Sequence, residues 1–484
     1  MALAMLVVIS TLLKLTAASP TWLHYDENYY LDISRNFIAR GELTPYMWRL
    51  GDTNIIAGSG SGYGILALTL WMQAVGVSLW NGRLLMIVFG VLTALTLYFA
   101  ARKWWGSNAA GIAAAVFALV ATSPFYTLTM RMDAIGMLAY ALVLLLYAHA
   151  MRGQWRWLHV AVGVAAVAAA EFHILALLYL GGLAFSYGVT YAAAVARERR
   201  LRLDAPAVYF GIGALLAGIL YIVIHVLPDP RAYFIISEQC HDCSGRALMK
   251  EIERFAGYAV LRLPELLLLM TSVGAALMRR GKADGHYLLL LVGFLITQFV
   301  ISPPAFSHYT QHIWLLVAMG VAGLVAHGFR RAGALRRWRV YAGAVVSFGF
   351  LALNWAYHVN QAEPYELRMT IAPSAAIDFV RAHIPSETVV MADVAAYYDL
   401  QEYPNFLSYR NGDIYGNALR GETQLAFWQR IQPRVIVGGW GADDPELQTY
   451  MSMMDFMSPV PGLWVAGDLR QQINLPSIRS VGEG

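Results

Sequence analysis

Charge is scarce in this chain, and the scarcity narrows the fold first. Only 14% of the 484 residues are Asp, Glu, Lys or Arg, against about a quarter in a soluble domain. That deficit excludes an ordinary water-soluble globule, and the 58% share of hydrophobic residues points the same way. Cysteine is nearly absent: Cys240 and Cys243 are the only two, which excludes a disulfide-rich scaffold. Convincing internal repeats and low-complexity tracts are missing, which argues against the repeated halves of many transporters. The net charge is only +4, and the basic residues lie in short clusters between apolar runs, so nucleic-acid binding is not their natural use.

What is present is a succession of uncharged runs, at about 3–18, 63–80, 83–101, 109–125, 134–151, 157–171, 173–195, 207–227, 257–278, 286–302, 310–328 and 340–357. A helical crossing takes about 20 apolar residues, so the pattern is that of a polytopic α-helical membrane protein. Between the runs lie Arg102-Lys103, Arg152 and Arg156, "RERRLR" (197–202), "RRGK" (279–282) and "RRAGALRRWR" (330–339). Short basic loops stay cytoplasmic. If every run crossed, Arg102-Lys103 and all later clusters would lie outside; if one early run does not, all five lie inside. The run at 63–80 is short, follows the Gly/Ser-rich "AGSGSG" and is joined to the next by Asn81-Gly82 alone. We read it as a re-entrant or interfacial helix. About 11 spans remain, with the N-terminus inside and the C-terminus outside. The opening "MALAMLVVISTLLKLTAASP" has a signal-peptide look near Ala17-Ala18-Ser19. It lacks a basic start, however, and Lys14 interrupts it, so an uncleaved first span with Lys14 snorkelling outward is expected.

The expected organisation is a membrane module over 1–358, with a first outer loop at 19–82, and a small external α/β domain over 359–484. In the latter a helix, "SAAIDFVRAHI" (374–384), precedes the strand-like pieces "TVVMAD" (388–393), "PRVIVGGW" (433–440) and "GLWVAGDL" (462–469).

This topology gathers Asp26, Glu27, Arg131, Asp133, Glu171, His173, His225, His308, His312 and His358 at the outer helix ends. Ionisable groups at membrane depth are costly and are functional candidates by default, although any one of these histidines, taken alone, reads first as a wetted residue at a helix end. The stretch "TWLHYDENYYLDISRNFIARG" (21–41) carries two of the acids. Tyr29 or Tyr30, Ile33 and Phe37 form an apolar stripe, while Asp32, Arg35, Asn36 and Arg40 are expected to face water. By itself that is a surface helix with Asp26 as N-cap and Glu27 favoured in the first turn by the dipole. Asp133, in "SPFYTLTMRMDAIG", also reads as an N-cap. Capping does not account for two acids from distant segments, with Arg131 beside one, emerging at one face. There a carboxylate can act as general base, a second can orient an acceptor or help hold a divalent metal, and an arginine can pair with a leaving phosphate. The set suits sugar transfer from a lipid phosphate.

Several stretches carry a resemblance. "DENYYLDISRNFIARGEL", a Gly-Tyr-led short helix, "NGRLLMIVFGVLTALTLYFAARKWWG" and "AAGIAAAVFALVATSPFYTLTMRMDAIGML" follow in order over roughly 20–200, and "SHYTQHIWLLVAMG" (307–320) fits the later part. Together they resemble the class C membrane glycosyltransferases, in the bacterial branch similar to protein O-mannosyltransferases and the aminoarabinose transferase. The resemblance implies the class C fold and an inverting enzyme at the external face of the plasma (inner) membrane. Such an enzyme moves a hexosyl or pentosyl group from a polyprenyl-phosphate carrier to a protein, lipid or glycan acceptor. It implies Asp26 as base, Glu27 as its neighbour, and Asp133 as support for acceptor, base or a divalent metal such as Mg or Mn, whose ligands stay unassigned. Our candidates for holding the substrate are Arg131, His173, His308, Tyr309, Lys14 and Arg231.

Two departures from relatives stand out. "AGSGSGYG" (57–64) replaces a common Glu-Lys-Pro-Pro stretch, and "EFH" (171–173) replaces a common Thr-Lys, leaving donor and acceptor open. "CHDC" (240–243) is open between a disulfide, a metal site and free thiols. The competing functional classes are a flippase or transporter of lipid-linked sugars and a non-catalytic membrane scaffold.

Overall fold

A backbone surrounded by apolar material must satisfy its own hydrogen bonds, so apolar runs fold as helices. The computed structural model describes residues 25–43, 62–121, 129–173, 175–228, 263–301, 312–331, 374–392, 394–397, 399–408, 421–438 and 445–473, with single positions at 11, 230 and 349. The helices are α1 (Tyr25–Arg40), α2 (Gly62–Val75), α3 (Leu79–Trp105), α4 (Asn108–Ala121), α5 (Asp133–Arg152), α6 (Trp157–Ala168), α7 (Ala176–Glu198), α8 (Pro206–Tyr221), α9 (Leu263–Arg279), α10 (Lys282–Ile301) and α11 (Ile313–Arg331). Among the described residues, α3, α5, α7 and α8 with its π-helical continuation Ile222–Val226 are long and apolar enough to cross a membrane. Local chemistry marks their ends. Ser78 caps α3 by accepting from Asn81 N at 3.1 Å, Gly106 closes it at φ +69°, and Pro206 opens α8. Where α6 crosses α8 the backbones nearly touch: a Cβ on Gly163 would lie 2.2 Å from Phe210 O, and one on Gly213 2.1 Å from Val160 O. Small residues are what permit such close helix contact.

The bundle has two chemically different ends. At one, Arg152 Nη2 donates to Trp104 O at 2.7 Å, Trp104 Nε1 donates to Ala283 O, and the Arg279 guanidinium lies over the Trp105 ring. Arg156 reaches Asp204 there at 3.5 Å. The basic ends of α3, α5 and α9 and the starts of α6, α8 and α10 therefore lie together. The starts of α3, α5, α7 and α11 and the ends of α6 and α8 lie at the other, and carry the acids and histidines described below. Helix α2 belongs wholly to this second end. It begins where a Cβ on Gly64 would meet Phe172 O at 3.0 Å, and it turns through Gly76 (φ +96°) into α3, where Gly82 packs on Met72 and Met130. Starting and finishing at one end is the geometry of a helix that does not traverse the bundle.

The chain beyond residue 373 forms α12 (Ser374–His383), β1 (Val390–Ala392), β2 (Phe406–Ser408), α13 (Gln424–Ile431), β3 (Val435–Val437), α14 (Pro445–Met453), β4 (Met457–Val460), β5 (Leu463–Val465) and α15 (Gly467–Gln472). The sheet order is β2-β1-β3-β5-β4, with β2, β1 and β3 parallel and the last two antiparallel. Successive strand residues point to opposite faces. Val390 and Val435 thus face Ile377 and Val380 of α12, while Met391, Leu407 and Ile436 face Phe427, Trp428 and Tyr450.

One expectation is overturned. Most of the polar side of α1 does not face water: Asp32 and Asn36 are each only 5% exposed and Arg35 is half-buried, while Arg40 is exposed as expected. The tail covers it. Arg35 Nη1 donates to the Tyr397 hydroxyl at 3.2 Å, its guanidinium sits 5.5 Å from that ring, and it also bonds Gln401 Oε1. On the α2 side, Ser34 and Thr69 hydroxyls meet at 3.3 Å. Burial pushes the Tyr397 phenol above its usual range and Asp32 adds to the push, while Arg35 opposes it.

Candidate active site

Helix α1 starts at Tyr25, so Asp26 and Glu27 both lie in its first turn, and Asp26 is not the cap. The side chain of Asp26 lies outside the described residues. Glu27 is fully buried. Arg83, 2% exposed in the first turns of α3, grips it bidentately: Nε to Oε1 and Nη2 to Oε2, both 2.8 Å. Oε1 also accepts from Met130 N at 2.7 Å. Through Met130 the first turn of α1 is tied to the segment that enters α5.

That segment builds the cluster. Arg131 Nε donates to Asp133 Oδ2 at 2.8 Å. The other oxygen, Oδ1, faces two imidazoles, with His173 Nε2 and His312 Nε2 each 3.4 Å away. Asp133 is the first residue of α5, where the helix dipole favours a negative charge. His173 follows the 3-10 turn Ala169–Glu171 that ends α6, and His312 immediately precedes α11. Asp133 is 1% exposed and His312 0%. Two tyrosines hold the rings in place. Tyr140 donates to His173 O at 3.3 Å and meets the His312 ring edge to face at 5.1 Å; Tyr179 stacks on Tyr140 at 4.7 Å and donates to His312 O. Gly136, one turn into α5, lets His173 come close: a Cβ there would lie 2.7 Å from His173 Cβ. Beside this, Glu171 Oε1 and His225 Nε2 pair at 2.7 Å, tying the π-helical end of α8 to the same turn. Single π-turns recur at functional sites.

No family model matches the sequence, and no curated protein matches it. The fold is where likeness is found. The aminoarabinose transferase ArnT from Cupriavidus metallidurans, in its apo state, superposes with a TM-score of 0.61 at 12% identity, over 96% of this chain and 97% of that one. The same protein bound to undecaprenyl phosphate superposes with a TM-score of 0.61 at 14% identity, over 97% and 98%. An oligosaccharyltransferase from Archaeoglobus fulgidus, tethered to an acceptor peptide containing the NVT sequon, gives 0.51 at 11% identity, over 97% of this chain and 74% of that one. This chain has the class C glycosyltransferase fold.

Within that fold, Arg131, Asp133 and His173 come together as one cluster, while Glu27 lies with Arg83 one step away. Lys14, Arg231, His308 and Tyr309 lie outside the described residues, as do His358 and the "CHDC" stretch. Sequence reasoning placed His312 at the outer end but left it out of the site, and it missed Arg83, Tyr140 and Tyr179. Arg83 had a signal: a lone cation inside an otherwise apolar span. The tyrosines had none, since mid-helix aromatics are ordinary core.

Asp133, His173 and His312 form a group able to hold a metal ion, one ligand atom from each lying within 4.8 Å of the others. Two imidazoles and one carboxylate suit a borderline ion such as Zn2+ better than the oxygen-seeking Mg2+ or Mn2+ expected from the sequence. Among the described residues His312 Nε2 faces only Asp133 Oδ1, and its Nδ1 has no hydrogen-bond partner. His173 sets a cost. Its Nδ1 accepts from Leu175 N at 3.3 Å, which leaves the ring proton on Nε2, facing Asp133. An ion on that Nε2 displaces the proton and the Leu175 contact together.

Proposed function

We propose that this chain is an inverting transferase that moves a sugar from a polyprenyl-phosphate carrier to an acceptor at the external membrane face. The observation that carries the reading is the buried Arg131–Asp133–His173–His312 cluster, at the bundle end away from the basic residues and tied through Met130 to the turn that bears Asp26. The acceptor hydroxyl attacks the anomeric carbon as the bond from that carbon to the phosphate oxygen breaks. Its proton passes to Asp26, and the carrier phosphate leaves with the bonding pair. Donors aimed at developing phosphate charge are the largest lever an enzyme has on such a step, and Arg131 with His173 is assigned that role. Lys14, Arg231, His308 and Tyr309 are proposed to complete the donor site from flanking segments. Asp133 orients Arg131 and both imidazoles, and the Arg83–Glu27 pair fixes the turn that holds Asp26. A bound metal would supply Lewis-acid polarisation of a phosphate oxygen.

Orientation follows from the opposite end. Arg102, Lys103, Arg152, Arg156 and Arg279 fall on the cytoplasmic side under the positive-inside rule. On this reading the cluster and the 359–484 domain lie outside, on the membrane module 1–358 with its outer loop 19–82. Sugar and acceptor are left unspecified, since the "AGSGSGYG" and "EFH" departures fall on the segments that would select them.

The test is transfer by the purified protein in lipid, using a panel of labelled polyprenyl-phosphate sugars with an envelope extract as acceptor. Wild type is expected to transfer from one donor class, and Asp26→Asn to lose at least a hundredfold while staying folded. Equal activity in Asp26→Asn would overturn the base assignment. Absence of transfer from every donor would overturn the enzyme reading in favour of a scaffold or flippase.

A further inference from the structure

The basic end holds a cavity of about 290 Å³ lined by Trp104, Met151, Arg152, Lys282, Ala283 and His286. It lies between the end of α5 and the first turns of α10, across the bundle from the catalytic cluster. Its size is at the lower end of the ~300–1,000 Å³ that ligand pockets occupy.

The cavity's charges are not matched by acids. Some cations of this end have carboxylates: Arg279 donates twice to Asp284 Oδ1, at 2.9 and 2.7 Å, and Arg156 and Arg202 reach Asp204 or Glu198. The cavity's own cations, Arg152 and Lys282, do not, and the ring of His286 lies beside them. Among the described residues Arg152 makes one hydrogen bond, to Trp104 O, Lys282 has no carboxylate within 4.0 Å, and His286 meets only the Tyr147 hydroxyl, at 3.5 Å. Lys282 and Ala283 also open α10, whose first backbone N–H groups favour an anion. The walls are apolar on the side of Trp104 and Met151. Depth is marked by Trp155 and Trp157, 64% and 55% exposed just beyond Arg152, as tryptophans at a membrane–water interface are.

We propose that this cavity binds the phosphate headgroup of an anionic phospholipid of the leaflet facing the basic end, with Arg152, Lys282 and His286 around the phosphate and Trp104 and Met151 against the glycerol and upper chain. Phosphate is the shared chemistry, and a lipid is favoured as its source because the cationic lining is continued by apolar wall at headgroup depth. Basic pockets between helices on this side are a recurrent way of holding anionic headgroups.

The experiment is native mass spectrometry of the full-length protein after equilibration with equal phosphatidylglycerol and phosphatidylcholine, with and without millimolar inorganic phosphate. Wild type is expected to retain phosphatidylglycerol about thirtyfold over phosphatidylcholine, from the two cations Arg152 and Lys282 near the headgroup. Lys282→Gln combined with His286→Gln should cut that preference about fivefold. Arg152→Gln is a second variant, compared at matched circular dichroism because Arg152 also holds Trp104 O. Equal retention of both lipids by wild type, or an unchanged preference in the double variant, overturns the proposal. Displacement of phosphatidylglycerol by inorganic phosphate overturns the lipid source in favour of a free anion. None of these readouts depends on sugar transfer.

Discussion

The Glu27–Arg83 pair makes the sharpest energetic prediction. Both side chains are buried, at 0% and 2% exposure, and joined by two bonds of 2.8 Å, with a third from Met130 N at 2.7 Å. Taking one partner from a buried pair leaves a desolvated charge and costs about 3–5 kcal/mol, whereas removing both together costs much less. Glu27→Gln keeps the shape and an acceptor for Met130 N but discharges Arg83's partner; Arg83→Met does the converse. Each single change is expected to destabilise by ~3–5 kcal/mol, and the double change by less than their sum, with a coupling of about 1–3 kcal/mol. Denaturant unfolding in mixed micelles, followed by tryptophan fluorescence, gives the cycle. Transfer activity is expected to fall at least tenfold in both singles, because the turn carrying Asp26 loses its charged anchor to α3. Singles costing less than about 1 kcal/mol and adding within ~0.5 kcal/mol would refute the claim that this pair joins α1 to α3.

Other outcomes follow from the same geometry. Gly136→Ala puts a Cβ 2.7 Å from His173 Cβ; transfer is expected to drop by about one to two orders of magnitude with the fold retained, and wild-type activity would sink the claim that this glycine seats His173. If Asp133, His173 and His312 hold an ion, metal analysis of the purified protein finds about one equivalent, lost in His312→Ala; a metal-free wild type, active and indifferent to chelator, would establish the cluster as purely hydrogen-bonded. Arg35→Ala should loosen the tail from α1, seen as faster limited proteolysis around Tyr397 and Gln401. Because the folded-state pKa of Tyr397 is raised, its contribution to stability is complete below about pH 10 and is lost as pH climbs from there toward the folded value. Unfolding followed from pH 8 to 12 should show a decline that is steeper in wild type than in Tyr397→Phe.

Much of the membrane part was legible because its signals are local. Apolar runs and basic clusters are read residue by residue, and the structure has helices over the runs within the described residues, with the basic ends gathered together. The runs at 3–18 and 340–357 lie outside those residues. The joint expected at Asn81-Gly82 falls instead at 76–78, Asn81 and Gly82 being in the first turn of α3. The pieces "TVVMAD", "PRVIVGGW" and "GLWVAGDL" contain β1, β3 and β5 because short β-branched stretches suit strands that are buried on both faces. The face of α1 was misread for an instructive reason. Periodicity says which residues share a face but not what covers it, and Asp32, Arg35 and Asn36 are covered by a segment some 360 residues away, around Tyr397 and Gln401.

Membrane class, the choice of helices and the position of acids and histidines at one end follow from composition and spacing alone, because burial in lipid is decided run by run. Which of those residues meet was decided only by packing. Asp133, His173 and His312 are brought to 3.4 Å by three separate helix ends, by the room Gly136 leaves and by the stacked Tyr140 and Tyr179. Distances of that kind depend on the rotation and depth of each helix against its neighbours, which no single stretch of chain encodes.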